Sequence, residues 1–112
     1  MKYALIPIFA ATTALADAPK VQNVTVTGDR VDVTVLHPDT GWDHYADGWE
    51  ALDADGNRLG FRELFHPHEN EQPFTRSQSG IVIPESATSI FIRARCNVDG
   101  WSDELFEVPL SD

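Results

Sequence analysis

Cysteine and positive charge are both scarce in this chain. One cysteine, Cys96, stands among 112 residues. A single thiol cannot close an internal disulfide, so a disulfide-stapled scaffold is excluded. Cys96 is left as core filler, a free thiol, half of an intermolecular bridge, or a metal ligand. A small exported domain without disulfides must rely on its core or on a bound metal. Eight Lys and Arg stand against eighteen Asp and Glu, for a formal net charge of −10. No basic patch is available, so nucleic acid and anionic membrane surfaces are excluded as partners. The chemical motifs of common enzymes are missing as well. There is no glycine-rich phosphate loop, no Gly-x-Ser-x-Gly setting for Ser77 or Ser79, and no His-Glu-x-x-His helix. Internal repeats, low-complexity stretches and helix-period apolar stripes are also absent.

Long apolar runs are lacking too. The run Ala4 to Ala11 falls well short of the ~20 residues needed to span a bilayer. Lys2 precedes it and Ala14-Leu15-Ala16 follows as a small-x-small cleavage site. Residues 1–16 therefore read as a signal peptide and residues 17–112 as a single domain. No cysteine follows the cleavage site, so the expectation is a cleaved, exported protein, periplasmic in a bacterium or secreted. No membrane attachment is expected after cleavage.

What the remainder has is alternation. Val24 and Val26 alternate with Thr25 and Thr27; Val31, Val33 and Val35 alternate with Asp32 and Thr34. Gly28-Asp29 between them signals a hairpin turn. A third strand is expected around Trp49 to Leu52, and a turn at Asp53 to Asn57. A fourth strand runs from Leu59 to Phe65, with an irregularity near Gly60. A fifth covers about Phe74 to Ile83. In the sixth, Ile90, Ile92, Ala94 and Cys96 share one face; the seventh covers Leu105 to Leu110. Seven short strands with turns at this spacing predict an all-β, antiparallel, immunoglobulin-like or fibronectin type III-like sandwich.

Strand sense then groups the chemistry. If strands run up and down in turn, the loops after the second, fourth and sixth share one pole. Those loops hold His37, His44, His66, His68, Cys96 and Asp99. Imidazole with thiolate suits iron, copper or zinc. The candidate set is His37, His44 and Cys96, completed by His66 or His68 or by Asp99. His66 and His68, two apart on an extended segment, point to opposite faces, so both are not expected on one ion. The plain alternatives are a core cysteine, solvated loop histidines and a strand-ending His37-Pro38. Trp42, Tyr45 and Trp101 lie in or beside the same loops and could anchor a protein or glycan, while Trp49 reads as the core tryptophan.

Two resemblances follow from particular residues. The segment Ile90 to Ser102 resembles the sixth strand and following loop of fibronectin type III domains, with Phe91 where that family usually has tyrosine. His37-Pro38, His44-Tyr45, Trp49-Glu50, Asp55-Gly56 and Cys96-Asn97-Val98-Asp99-Gly100 resemble the iron domain of superoxide reductase, or desulfoferrodoxin. That likeness implies a mononuclear iron held by four histidines and an axial cysteinate, and an oxidoreductase. Departures limit it. The spacing from His37 to His44 is one residue longer, Asp99 stands where the last histidine ligand belongs, and no histidine precedes His37. The likeness therefore carries ligand roles only to His37, His44 and Cys96. The expected function is binding rather than turnover: an exported sandwich holding a transition metal at a His/Cys pole. The alternative is a non-catalytic module that uses loop aromatics to bind an envelope protein or glycan.

Overall fold

The computed structural model describes residues 18–110. The expected signal segment, residues 1–16, lies outside them. The described residues contain no helix and form eight strands rather than the seven expected. These are β1 (Lys20–Thr27), β2 (Arg30–Leu36), β3 (Ala46–Leu52), β4 (Arg58–Glu63), β5 (Phe74–Gln78), β6 (Ser89–Cys96), β7 (Gly100–Trp101) and β8 (Phe106–Pro109). One sheet has the order β1-β2-β5; the other runs β4-β3-β6-β7, with β8 also paired to β6. All pairings are antiparallel.

Alternation builds the space between the sheets. Val31, Val33 and Val35 of β2 are buried, and they meet Trp49 and Ala51 of β3 and Ile90, Ile92 and Ala94 of β6. Trp49 is fully buried. The β1–β2 turn is closed by Gly28 at φ 64°, a left-handed conformation that glycine adopts without steric cost. The irregularity expected near Gly60 is a register shift between Ala51 and Leu52, opposite Gly60 and Arg58.

Three strand limits differ from expectation. β4 ends at Glu63, and Leu64 and Phe65 already belong to the loop. β5 ends at Gln78 rather than continuing to Ile83. The chain changes sheets there: Gly80 turns it at φ 79°, Ile81 N–H donates to Asp29 O, and Val82 N–H donates to Leu59 O. The last expected strand, Leu105 to Leu110, is β8 shortened to Phe106–Pro109, and β7 is an additional two-residue strand directly after the turn that follows β6; both pair with β6.

Antiparallel pairing sets one pole. Ala46 at the start of β3 faces Cys96 at the end of β6. Gly48 faces Glu63 at the end of β4, and Val35 near the end of β2 faces Phe74 at the start of β5. The loops after β2, β4 and β6 therefore lie together.

Candidate metal centre

Two of the candidate ligands continue the core pattern. On β2 the inward positions are Val31, Val33 and Val35; the next in that parity is His37, which is 0% exposed. On β6 they are Ile90, Ile92 and Ala94, followed by Cys96 at 1% exposed. An imidazole and a thiol thus sit where a two-residue period would place aliphatic side chains. They come from different sheets and close the same end of the core.

His44 arrives from the loop between β2 and β3. A tight turn carries it: His44 N–H donates to Gly41 O, and Thr40 N–H donates to His44 O. Asn97 ties this turn to the end of β6. Its side chain accepts from Tyr45 N–H (2.9 Å) and donates to Trp42 O (3.0 Å), and its own N–H donates to Tyr45 O (3.1 Å). The His37 and His44 rings meet edge to face, with centroids 4.8 Å apart and planes at 79°. One ligand atom each from His37, His44 and Cys96 lies within 4.8 Å of the others. Donors about 2.0–2.3 Å from a shared ion would stand roughly 3–4 Å apart, so a modest inward closure would seat one.

Asp39 fixes which nitrogen of His37 is free. Its buried carboxylate accepts from His37 Nδ1 at 2.6 Å and from Ala46 N–H at 3.0 Å through Oδ1. Oδ2 accepts from His68 N–H at 2.8 Å. A carboxylate can only accept, so Nδ1 carries the hydrogen, and in the neutral ring the lone pair is on Nε2. His37 Nε2 is buried without a partner, and so is His44 Nε2. Unpartnered buried nitrogens are uncommon in folded proteins and call for a cause. Carboxylate–histidine pairing of this kind orients metal-bound imidazoles and raises their basicity.

Around Cys96 the environment holds the thiol form. Burial pushes the thiol above the ordinary cysteine range; backbone N–H groups of Asp99 and Val98 pull the other way, and the Asp99 carboxylate adds to the rise. Asp99 N–H donates to Sγ at 3.2 Å, and Asp99 Oδ2 lies 3.7 Å from Sγ and 4.0 Å from His44 Nε2. A bound cation would displace the thiol proton.

The other two histidines lie at the same pole but face different partners. His68 stacks on Phe74, with centroids 3.9 Å apart and planes at 11°, and its Nε2 accepts from Arg76 Nη2 at 2.9 Å. His66 is exposed, with Nδ1 3.2 Å from Pro67 O. Their rings are 4.8 Å apart, and neither joins the His37, His44 and Cys96 group. Trp42 is 64% exposed and meets Tyr45 edge to face at 5.7 Å. Trp101 instead lies against Phe61 and beneath Arg93 and Arg95 on the outer face of the larger sheet.

Asp39 and Asn97 carry the geometry, yet neither was singled out from sequence as part of the site. A usable signal existed for Asp39: it keeps the inward parity of Val35 and His37. For Asn97 the signal is its place after Cys96 in the segment Cys96 to Gly100 that carries the resemblance to the superoxide reductase motif.

No family model matches the chain. A protein of Halomicrobium mukohataei described as "Putative lipoprotein" is 41% identical over 76 residues, covering 68% of this chain and 37% of that protein. The chain thus spans little more than a third of that relative's length. Among solved structures, two variants of superoxide reductase (neelaredoxin) from Ignicoccus hospitalis superpose with a TM-score of 0.49 at 18% identity, over 91% of this chain and 86% of theirs.

Proposed function

We propose that this domain binds one transition-metal ion, iron, zinc or copper, through His37, His44 and Cys96. One observation supports the reading above others: two unpartnered, buried imidazole nitrogens converge with a thiol. Trp49 Nε1, Arg62 Nε and His68 Nδ1 are also buried without partners, but of these nitrogens only those of His37 and His44 converge on a thiol. Mixed imidazole and thiolate donors suit these metals. His66 and His68 remain outside the binding set in this reading. The role is binding, with redox turnover added only if iron occupies the site with an open position.

Metal analysis of untagged protein tests this. About one equivalent is expected in the wild type, and less than a tenth in Cys96→Ser and His37→Gln. Ion at 100 times its Kd should add about 2.7 kcal/mol of stability. No retained metal, and no stabilisation by iron, zinc or copper in excess, overturns the reading.

Export to the periplasm or secretion fits the signal-like segment 1–16 and the description of the Halomicrobium relative as a lipoprotein. Cell fractionation checks it. An immunoglobulin-like or fibronectin-like assignment draws support from two antiparallel sheets closing on a buried tryptophan, Trp49. A second reading rests on Trp42, exposed beside Tyr45 next to the same loop. There the aromatic edge would anchor an envelope protein or a glycan, and quenching of Trp42 fluorescence by a glycan panel is the measurement.

A further inference from the structure

Some carboxylates of this acidic chain have found cations, while others, such as Asp43 and Glu63, have no arginine or lysine partner among the described residues. Asp32 pairs with Arg30, Asp47 with Arg95, Glu71 with Arg76, and Glu50 with both Arg58 and Arg93. Asp99 has not: among the described residues no Lys or Arg lies within 4.0 Å of it. Its carboxylate faces a thiol and an imidazole nitrogen, at 3.7 and 4.0 Å. The turn holds it there, because Asp99 N–H donates to Cys96 Sγ and Gly100 closes the turn at φ 77°, paired with Cys96 across β6 and β7.

We propose that Asp99 is the fourth ligand, so that two imidazoles, one thiolate and one carboxylate form a closed site for a divalent cation of the zinc type. The proposal rests on the metal-binding reading above and specifies its coordination. Three considerations carry it. Buried His37 Nε2 and His44 Nε2 have no hydrogen-bond partner. Asp99, His66 and His68 all lie outside the His37, His44 and Cys96 group, but His68 Nε2 already accepts from Arg76 and His66 is exposed beside Pro67 O, whereas Asp99 lies against both Cys96 and His44. Charge is favourable as well: the Cys96 thiolate and the Asp99 carboxylate neutralise a divalent ion, and the buried Asp39 carboxylate behind His37 adds further negative charge at the site. Four protein donors without an open position are the arrangement of structural zinc sites. Asp99 is the most exposed donor of the set, with 26% of its side chain accessible, so it marks the side from which an ion enters.

Cobalt(II) is the probe. Its thiolate charge-transfer band reports Cys96, and the intensity of its d–d bands reports four-coordination. Wild type, Asp99→Asn, Cys96→Ser and the nearby surface control Asp103→Asn are titrated with Co2+ and then displaced with Zn2+. Circular dichroism of each metal-free protein confirms that it is folded. Asp99→Asn should keep the charge-transfer band, lose d–d intensity, and bind at least about 10–100-fold more weakly, the range seen even for outer-sphere carboxylates. Asp103→Asn should match the wild type. Wild-type affinity and an unaltered spectrum in Asp99→Asn would overturn the assignment while leaving the three-residue site intact. A wild type without any charge-transfer band would instead bring down the underlying reading and the fourth ligand with it.

Discussion

Replacing Asp39 by asparagine tests the buried hub that orients His37. The wild-type carboxylate accepts three hydrogen bonds: His37 Nδ1–H, Ala46 N–H and His68 N–H. An amide keeps the shape but offers one accepting oxygen. With that oxygen at the Oδ1 position, the amide nitrogen faces His68 N–H and two donors oppose each other. The surviving bonds become neutral ones, worth about 1 kcal/mol rather than the 1.5–3 of a charged acceptor. The orphaned donor costs a further 1–3 kcal/mol or so. The sum is on the order of 2–7 kcal/mol, a large share of the roughly 5–15 kcal/mol that holds a small domain together. At about 4–8 °C per kcal/mol, Tm should drop by at least ~8 °C in the metal-free protein. The His37 tautomer is also released, so zinc affinity should fall about 10–100-fold. Thermal unfolding followed by circular dichroism reads the first effect, and competition with a chromophoric chelator reads the second. A Tm within ~2 °C of wild type, with unchanged zinc affinity, would refute the reasoning.

Asn97→Ala removes the side-chain bonds to Tyr45 N–H and Trp42 O; a loss of about 1–3 kcal/mol is expected in urea unfolding, with altered Trp42 fluorescence and weaker metal binding. At Gly60, a Cβ would overlap Cδ1 of the buried Ile81. Gly60→Ala should therefore cost about 1–3 kcal/mol, and the pair Gly60→Ala with Ile81→Val should lose less than the sum of the two single changes in the same assay. His68 is held neutral by burial first and then by the charge of Arg76, which lowers its pKa below the ordinary histidine value. The unfolded chain thus binds more protons just below that value, so this contribution is complete above it and is lost as pH falls through the window beneath. Urea midpoints of metal-free protein should decline across that window, and His68→Phe, which keeps a flat ring against Phe74, should flatten the decline relative to wild type.

The alternation of β2 and β6 was legible, and with it the two-sheet core and the grouping of loops at one pole. Val31, Val33 and Val35 on one strand, and Ile90, Ile92 and Ala94 on another, have one reading as half-buried strands. Where alternation was read too far, a backbone event ended it. Ser79 and Ile81 continue an apparent strand beyond β5, but Gly80 turns the chain from one sheet to the other. At two residues, β7 is too short to show any period, and its Trp101 is placed by the arginines of β6 rather than by a pattern of its own. The hub formed by Asp39, Gln72 and His68 was hidden for a different reason. Gln72 accepts from His37 N–H and donates to His68 O, bonds that span irregular loops and leave no periodic trace.

The parity that hid the site also built it. A strand ending on an inward imidazole needs something polar to receive the ring, because a buried nitrogen without a partner is costly. The chain answers on one side of His37 with Asp39, two residues on and in the same parity, and this settles Nδ1. It gives no answer on the other side, where Nε2 looks toward His44 and Cys96. A histidine serving packing alone would have gained stability from replacement by an aliphatic residue in line with Val35. Retaining it, fixing its tautomer with a buried carboxylate, and clamping a second imidazole beside it through Asn97 all cost stability unless the free nitrogens are used. Coordination of one ion would satisfy both nitrogens and the thiol at once, which is the physical argument for the proposed binding site over the bare end of a core.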